Sequence, residues 1–83
     1  MKINEKFIIR EINREMILVN KYENNEIYKF NSTSKFIISL IMNNKNKNEI
    51  IDKLCDKYNI EKERATKDTI NFIEEIKALG ILV

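Results

Sequence analysis

The chain has 83 residues, is 43% hydrophobic and 34% charged, and carries a formal net charge of +2. This balance is typical of one small globular domain and excludes a polar disordered tail. The sequence contains no histidine and one cysteine, Cys55, which excludes a zinc site, a Ser-His-Asp triad and an internal disulfide. Cys55 falls at helical spacing among apolar residues, so it is predicted to be a small buried thiol.

Neither a secretion signal nor a membrane span is visible. The first apolar cluster, Phe7-Ile8-Ile9, is too short for a signal peptide and is followed by Arg10. No run approaches the ~20 apolar residues that a membrane span needs. We therefore expect a single domain over residues 1–83, located in the cytoplasm and without a membrane partner.

Three short stretches in the first third are rich in Ile, Val, Phe and Tyr, which favour strands. They are Phe7 to Glu11, Met16 to Asn20 and Glu26 to Phe30. Asn13-Arg14 and Asn24-Asn25 separate them and tolerate the left-handed backbone that hairpin turns require. The sequence predicts a three-stranded antiparallel meander whose first and third strands are edges.

Two helices are predicted next. The first begins at Asn31 or Ser32, whose side chain can cap the first turn, and it breaks at Asn43-Asn44. The second begins with Asn46, followed three residues later by Glu49, a spacing that imitates a capping box. The apolar residues after Glu49 repeat at helical spacing, which supports this second helix.

The third helix is predicted from about residue 61 to residue 79, and Gly80 suits a left-handed stop. At about 100° per residue, one narrow stripe of this helix is expected to be the core face. The stripe contains Ala65, Thr69, Phe72, Ile76 and Leu79.

Several positions can be compared once this order of elements is in place. Phe30-Asn31 joins the third strand to the first helix, and Asn46 precedes Glu49-Ile50 at the start of the second. The last helix carries in order Asp68, Phe72, Ile73, Ile76, Gly80, Ile81 and Leu82. This spacing, over about residues 7–82, resembles the PqqD-like peptide chaperones, also called RiPP recognition elements. Thr69 departs from the resemblance, because that family usually has an aliphatic residue there.

The resemblance implies a winged-helix-like α+β fold, in which a three-stranded antiparallel sheet is followed by three α-helices. It implies no catalytic activity and no cofactor. Such a domain binds the leader of a ribosomally synthesised precursor peptide, which adds as a strand to the third strand and lies against the last helix. A separate maturation enzyme, such as a radical SAM protein, then acts on the peptide.

The third strand and the last helix supply the candidate peptide-binding residues. An exposed strand edge offers unpaired N–H and C=O groups to an extended peptide, and alternate side chains give selectivity. Tyr28 is expected to point inward, and Ile27 and Lys29 outward. Simpler roles stay open: an exposed Ile70, core packing for Ile73, and a solvated turn from Glu23 to Glu26. The full set is Glu26, Ile27, Tyr28, Lys29 and Phe30 on the strand, with Thr66, Ile70, Ile73 and Lys77 as the opposing wall.

Two rival functions remain. A winged-helix DNA-binding protein could use Lys62, Arg64 and Lys67 on the third helix, although five acidic residues share that helix. A structural subunit could pair its bare strand edge with a second copy. The sequence therefore favours a monomer or weak homodimer that binds a leader peptide and no nucleic acid.

Overall fold

The computed structural model describes residues 1–23 and 25–83. The predicted order of three strands and three helices is confirmed, and element ends differ from the predictions by one or two residues. Asn24, half of the second predicted turn, lies outside the described residues. The elements are β1 (Phe7–Ile12), β2 (Glu15–Asn20), β3 (Ile27–Phe30), α1 (Ser32–Met42), α2 (Lys47–Tyr58) and α3 (Lys62–Ala78).

The strands form an antiparallel sheet in the order β1-β2-β3. The turn between β1 and β2 consists of Asn13 and Arg14, whose φ angles are +52° and +68°. Positive φ at both central residues defines the type I′ hairpin turn, whose twist matches that of the flanking strands. The first predicted hairpin is therefore confirmed.

The helices cover one face of the sheet. In β2, Met16, Leu18 and Asn20 are buried, whereas Ile17 and Val19 on the opposite face are only half-buried. This alternation follows from the two-residue period of a strand. The helical side chains that complete the core include Ile37, Ile38, Ile41, Ile50, Leu54 and Ile76.

The buried stripe of α3 differs from the predicted one. Leu79 is 38% exposed, so the prediction was wrong for this residue, and Phe72 packs against the core but is only half-buried. Ile73, predicted at the shoulder of the stripe, is only 7% exposed. The stripe is therefore rotated toward Ile73, which lines a cavity together with Lys47 at the start of α2. The predicted members that are fully buried are Ala65, Thr69 and Ile76.

Cys55 is half-buried and its thiol is free, so the prediction of a buried thiol was wrong. Its neighbour on α2, Leu54, faces the core and takes the fully buried position instead. No helix in residues 1–23 and 25–83 has both the length and the apolar character to cross a membrane.

The two ends of the chain lie side by side. The Lys2 N–H donates to the Val83 carbonyl at 3.1 Å, and the Val83 N–H donates to the Lys2 carbonyl at 2.8 Å. Asn4 continues this ladder by donating its N–H to the Ile81 carbonyl at 2.7 Å. Gly80, with φ of +77°, ends α3 as predicted and turns the chain into this pairing.

Thr69 offers a test of the core. Its side-chain hydroxyl is buried and has no hydrogen-bond partner within the described residues. Burying an unpaired hydroxyl costs about 1–3 kcal/mol. We expect Thr69→Val, which keeps the shape, to raise the free energy of unfolding by about 1 kcal/mol in urea denaturation.

Thr66→Val is the matched control. The exposed Thr66 hydroxyl already donates to the Lys62 carbonyl at 2.7 Å, so its removal is expected to change stability much less. Equal effects of the two variants would show that the Thr69 hydroxyl finds a partner in solution.

Candidate functional site

β3 has an open edge. It pairs with β2 on one side, and no described residue pairs with the other. The Asn20 N–H donates to the Glu26 carbonyl at 3.0 Å, which places this carbonyl on the β2 side. Because backbone groups alternate in direction along a strand, Tyr28 also bonds toward β2, and the N–H and C=O of Ile27 and Lys29 point to the open edge. These four groups can hydrogen-bond a further strand.

The side chains of Ile27 and Lys29 point away from the helices. Ile27 is 56% exposed. Lys29 Nζ lies 2.9 Å from Glu15 Oε2 on the neighbouring strand. Both side chains therefore leave the inner side of β3 clear, as the strand period predicted.

Tyr28 and Phe30 point inward and make aromatic contacts. The Tyr28 ring meets Phe7 edge to face, with ring centroids 5.9 Å apart. The Phe30 ring meets Phe72 of α3 in the same manner, with centroids 5.8 Å apart and an interplanar angle of 84°. The Phe30–Phe72 pair therefore connects the end of β3 to the middle of α3.

A second connection fixes the relative direction of β3 and α3. Lys6 Nζ lies 5.4 Å from the Phe7 ring centroid. The same amine lies 3.6 Å from the point where a Cβ on Gly80 would be. The Tyr28 side of β3 is thus near the end of α3, whereas Phe30 is near its middle. The strand and helix run antiparallel and are bridged by the Phe30–Phe72 pair. The surface between them, with this pair as its floor, is here named the β3–α3 groove.

The flank of α3 that carries Phe72 was not predicted as a binding surface. Residues spaced by three and four share one side of a helix, so Asp68, Glu75 and Leu79 lie on the same flank as Phe72. Asp68, Glu75 and Leu79 are exposed. This groove-side stripe, Asp68-Phe72-Glu75-Leu79, combines apolar side chains with two carboxylates.

The wall residues predicted from the sequence lie on the other flank. Ile73 and Lys77 line a cavity of about 300 Å³ together with Lys47 at the start of α2. Thr66 and Ile70 share that stripe by helical spacing. The structure therefore does not bring these four residues to Phe30, and their contact with a peptide stays a prediction.

Glu26 takes part in a small polar cluster at the start of β3. Its carboxylate accepts hydrogen bonds from Asn20 Nδ2 at 2.7 Å and from the Tyr28 hydroxyl at 3.1 Å. The bond from Asn20 is the main cause that lowers the pKa of Glu26, while burial and then the bond to Glu26 raise the pKa of Tyr28. A fixed negative charge therefore stands at this end of the groove, at a residue that the sequence offered either as a peptide contact or as part of a solvated turn.

Together these features define a class of protein: a small domain of three strands followed by three helices, with an open strand edge beside the last helix. The chain belongs to the PqqD family, because residues 15–82 match the family model described as coenzyme PQQ synthesis protein D (PqqD). No protein with a curated description matches the sequence significantly.

Two solved structures share the fold over nearly the whole chain. TbiB1 in complex with the TbiA(beta) leader peptide has a TM-score of 0.89 and 22% identity, covering 99% of this chain and 94% of that one. Lasso peptide synthetase B1 complexed with the leader peptide has a TM-score of 0.91 and 16% identity, covering 99% and 95%. At these identities the likeness shows the fold.

Proposed function

We propose that this chain is a non-catalytic cytoplasmic domain that binds the leader of a ribosomally synthesised precursor peptide. The leader adds as a strand to β3, and the complex is presented to a separate modifying enzyme. The observation that carries this proposal is that the N–H and C=O groups of Ile27 and Lys29 point to the open edge of β3, beside the β3–α3 groove. Membership of the PqqD family and the leader peptides named with both similar structures support it.

Backbone pairing and side chains have different roles in this proposal. Four hydrogen bonds to Ile27 and Lys29, at a net value of about 0.5–1.5 kcal/mol each, hold the guest strand without reading its sequence. Alternate guest side chains point inward, over the floor made by Phe30 and Phe72. Selectivity therefore comes from the apolar floor and from the α3 side of the groove.

Two flanks of α3 are available as the second wall. The sequence suggested Thr66, Ile70, Ile73 and Lys77, a mainly apolar surface with one cation. The contact of Phe72 with Phe30 instead favours the groove-side stripe, which adds the carboxylates of Asp68 and Glu75. A leader on this stripe would carry an apolar residue for Phe72 and Leu79, with basic residues beside it.

No observation favours the DNA-binding rival. Arg64, one of its three candidate cations, has Nε 3.7 Å from the carboxylate of Asp68 one turn later. The acidic residues on the same helix would repel phosphate groups. Peptide binding remains the better account of α3.

One matched pair of variants distinguishes which flank of α3 contacts the leader. We expect Leu79→Glu to weaken leader binding about tenfold or more, since burying an aliphatic side chain is worth about 1.5–3 kcal/mol and 1.4 kcal/mol is tenfold. Ile70→Glu places the same charge on the other flank and is expected to leave affinity within about twofold. The measurement is isothermal titration calorimetry with a synthetic leader of the precursor encoded beside this gene.

Chemical-shift changes in the labelled protein complete the test. Strand addition predicts shifts at residues 27–30 and along the groove-side stripe. The reverse result, in which Ile70→Glu weakens binding and Leu79→Glu does not, would assign the wall to the stripe predicted from sequence. Shifts confined to Lys62, Arg64 and Lys67 on adding duplex DNA would reject peptide binding in favour of the rival.

A further inference from the structure

The sheet face that points away from the helices carries an apolar row. Ile8 pairs with Val19, and Val19 pairs with Ile27, so the three side chains form one row across all three strands. Ile8 is 37% exposed and Ile27 is 56% exposed. None of the three belongs to the core cluster of the described residues or packs against it. These three residues are named the outer row.

Basic side chains flank the outer row. The next row along the strands is Arg10, Ile17 and Lys29, in register. Arg10 is exposed and forms no ion pair within the described residues, whereas Lys29 is held by Glu15 at 2.9 Å. The outer face thus presents exposed aliphatic groups bordered by positive charge.

An exposed apolar patch bordered by charge is typical of an interaction surface. The charges help to decide whether a second copy, a membrane or another protein binds there. A second copy stacked on this face would have to break the Lys29–Glu15 ion pair in order to neutralise Arg10, which costs energy. An anionic membrane also suits basic charge. However, short branched side chains on a flat sheet reach little beyond the backbone, whereas membrane-surface helices insert a deep apolar face. A protein surface with complementary carboxylates fits best.

We propose that the outer face docks a separate protein whose contact surface is an apolar strip bordered by carboxylates. This inference rests on the proposed function, in which that protein is the enzyme that acts on the leader-bound precursor. Ile27 and Lys29 belong both to this face and, through their backbone, to the open edge of β3. An enzyme seated on the outer face would therefore lie directly beside the bound leader.

The test alters β1, the strand farthest from the open edge of β3. The variant is Ile8→Thr with Arg10→Glu, which keeps a branched side chain in the strand and reverses one charge. Met42→Glu is the control, because Met42 is 51% exposed on α1, away from the outer face. Biolayer interferometry measures binding of the purified modifying enzyme encoded in the same gene cluster, and calorimetry measures binding of the leader.

The outer-face variant is expected to bind the enzyme at least tenfold more weakly, while its affinity for the leader stays within about twofold. Met42→Glu is expected to change neither affinity. Unchanged enzyme binding by the outer-face variant would overturn the inference, and so would an equal loss in Met42→Glu. If wild-type protein binds no leader at all, the proposed function fails instead.

Two further measurements address the other occupants. If the wild-type protein self-associates in sedimentation and the outer-face variant does not, the face would be assigned to a second copy. If the wild-type protein binds phosphatidylglycerol vesicles and the variant does not, the face would be assigned to a membrane. Circular dichroism checks that the variant is folded. If it is not, Arg10→Glu alone, which leaves the outer row intact, is expected to weaken enzyme binding without weakening leader binding.

Discussion

Lys29→Pro is expected to abolish strand addition while leaving the fold intact. The Lys29 N–H points to the open edge, so proline removes no hydrogen bond to β2, and proline is tolerated at such edge positions. The substitution removes one donor and places a ring where the guest strand would lie. Losing two or three net bonds corresponds to about 2–3 kcal/mol, or roughly 30- to 150-fold in affinity. Calorimetry with the synthetic leader measures the loss.

Lys29→Ala is the control for this substitution. It keeps the backbone N–H and removes only the exposed ion pair with Glu15, and such pairs contribute less than about 1 kcal/mol. Its affinity for the leader is expected to stay within about twofold of wild type. A folded Lys29→Pro protein that still binds the leader at full strength would show that the guest does not pair with β3.

Leu18→Ala is expected to cause the largest loss of stability. Leu18 is fully buried in the central strand, opposite Ile9 on one side and Tyr28 on the other. Removing a buried leucine typically costs 2–5 kcal/mol, because the cavity closes only partly. A loss of about 3 kcal/mol lowers the melting temperature by roughly 12–24 °C in a domain of this size. Thermal unfolding followed by circular dichroism measures the effect.

Val19→Ala is the matched control on the same strand. Val19 is half-buried on the outer face, where its neighbours are Ile8 and Ile27. Its truncation is expected to cost about 1 kcal/mol or less, because little packing is lost at a partly exposed site. Equal losses in the two variants would mean that the outer face is covered in the folded protein.

The order of elements was predictable because it depends on local signals. The side chains of Asn46 and Glu49 each accept a hydrogen bond from the other residue's N–H, at 2.9 and 3.1 Å, so the capping box is confirmed. Asn31 likewise caps α1 by accepting from the Ser34 N–H at 2.9 Å. Such signals act within a few residues, and tertiary contacts are not needed to recognise them.

The contact between β3 and α3 was not predictable in the same way. Helical spacing shows which residues of α3 share a flank, but it does not show which neighbour packs against that flank. On one side Ile73 lines a cavity together with Lys47 of α2, and on the other side Phe30 meets Phe72. One signal in the sequence did point to this contact: Phe30 ends the third strand, and Phe72 is an aromatic residue on the last helix.

Glu26 shows a second limit of reasoning from the sequence. The sequence placed Glu26 at the start of the third strand, with a solvated turn as the simpler alternative, and did not predict that Asn20 and Tyr28 would bind its two carboxylate oxygens. Residues six apart in sequence meet here only because β2 and β3 pair antiparallel. Cross-strand polar contacts of this kind become visible once the register is known.

The pairing of residues 2–4 with 81–83 makes the polypeptide almost a closed ring. Because these end residues are paired, both ends of the domain lie at the same point on its surface. A host protein could therefore carry the whole domain as an insertion in a surface loop. This pairing lies just after the C-terminal end of α3, and β3 takes no part in it. Grafted in this manner, the domain would keep the open edge of β3 free of the connections to its host.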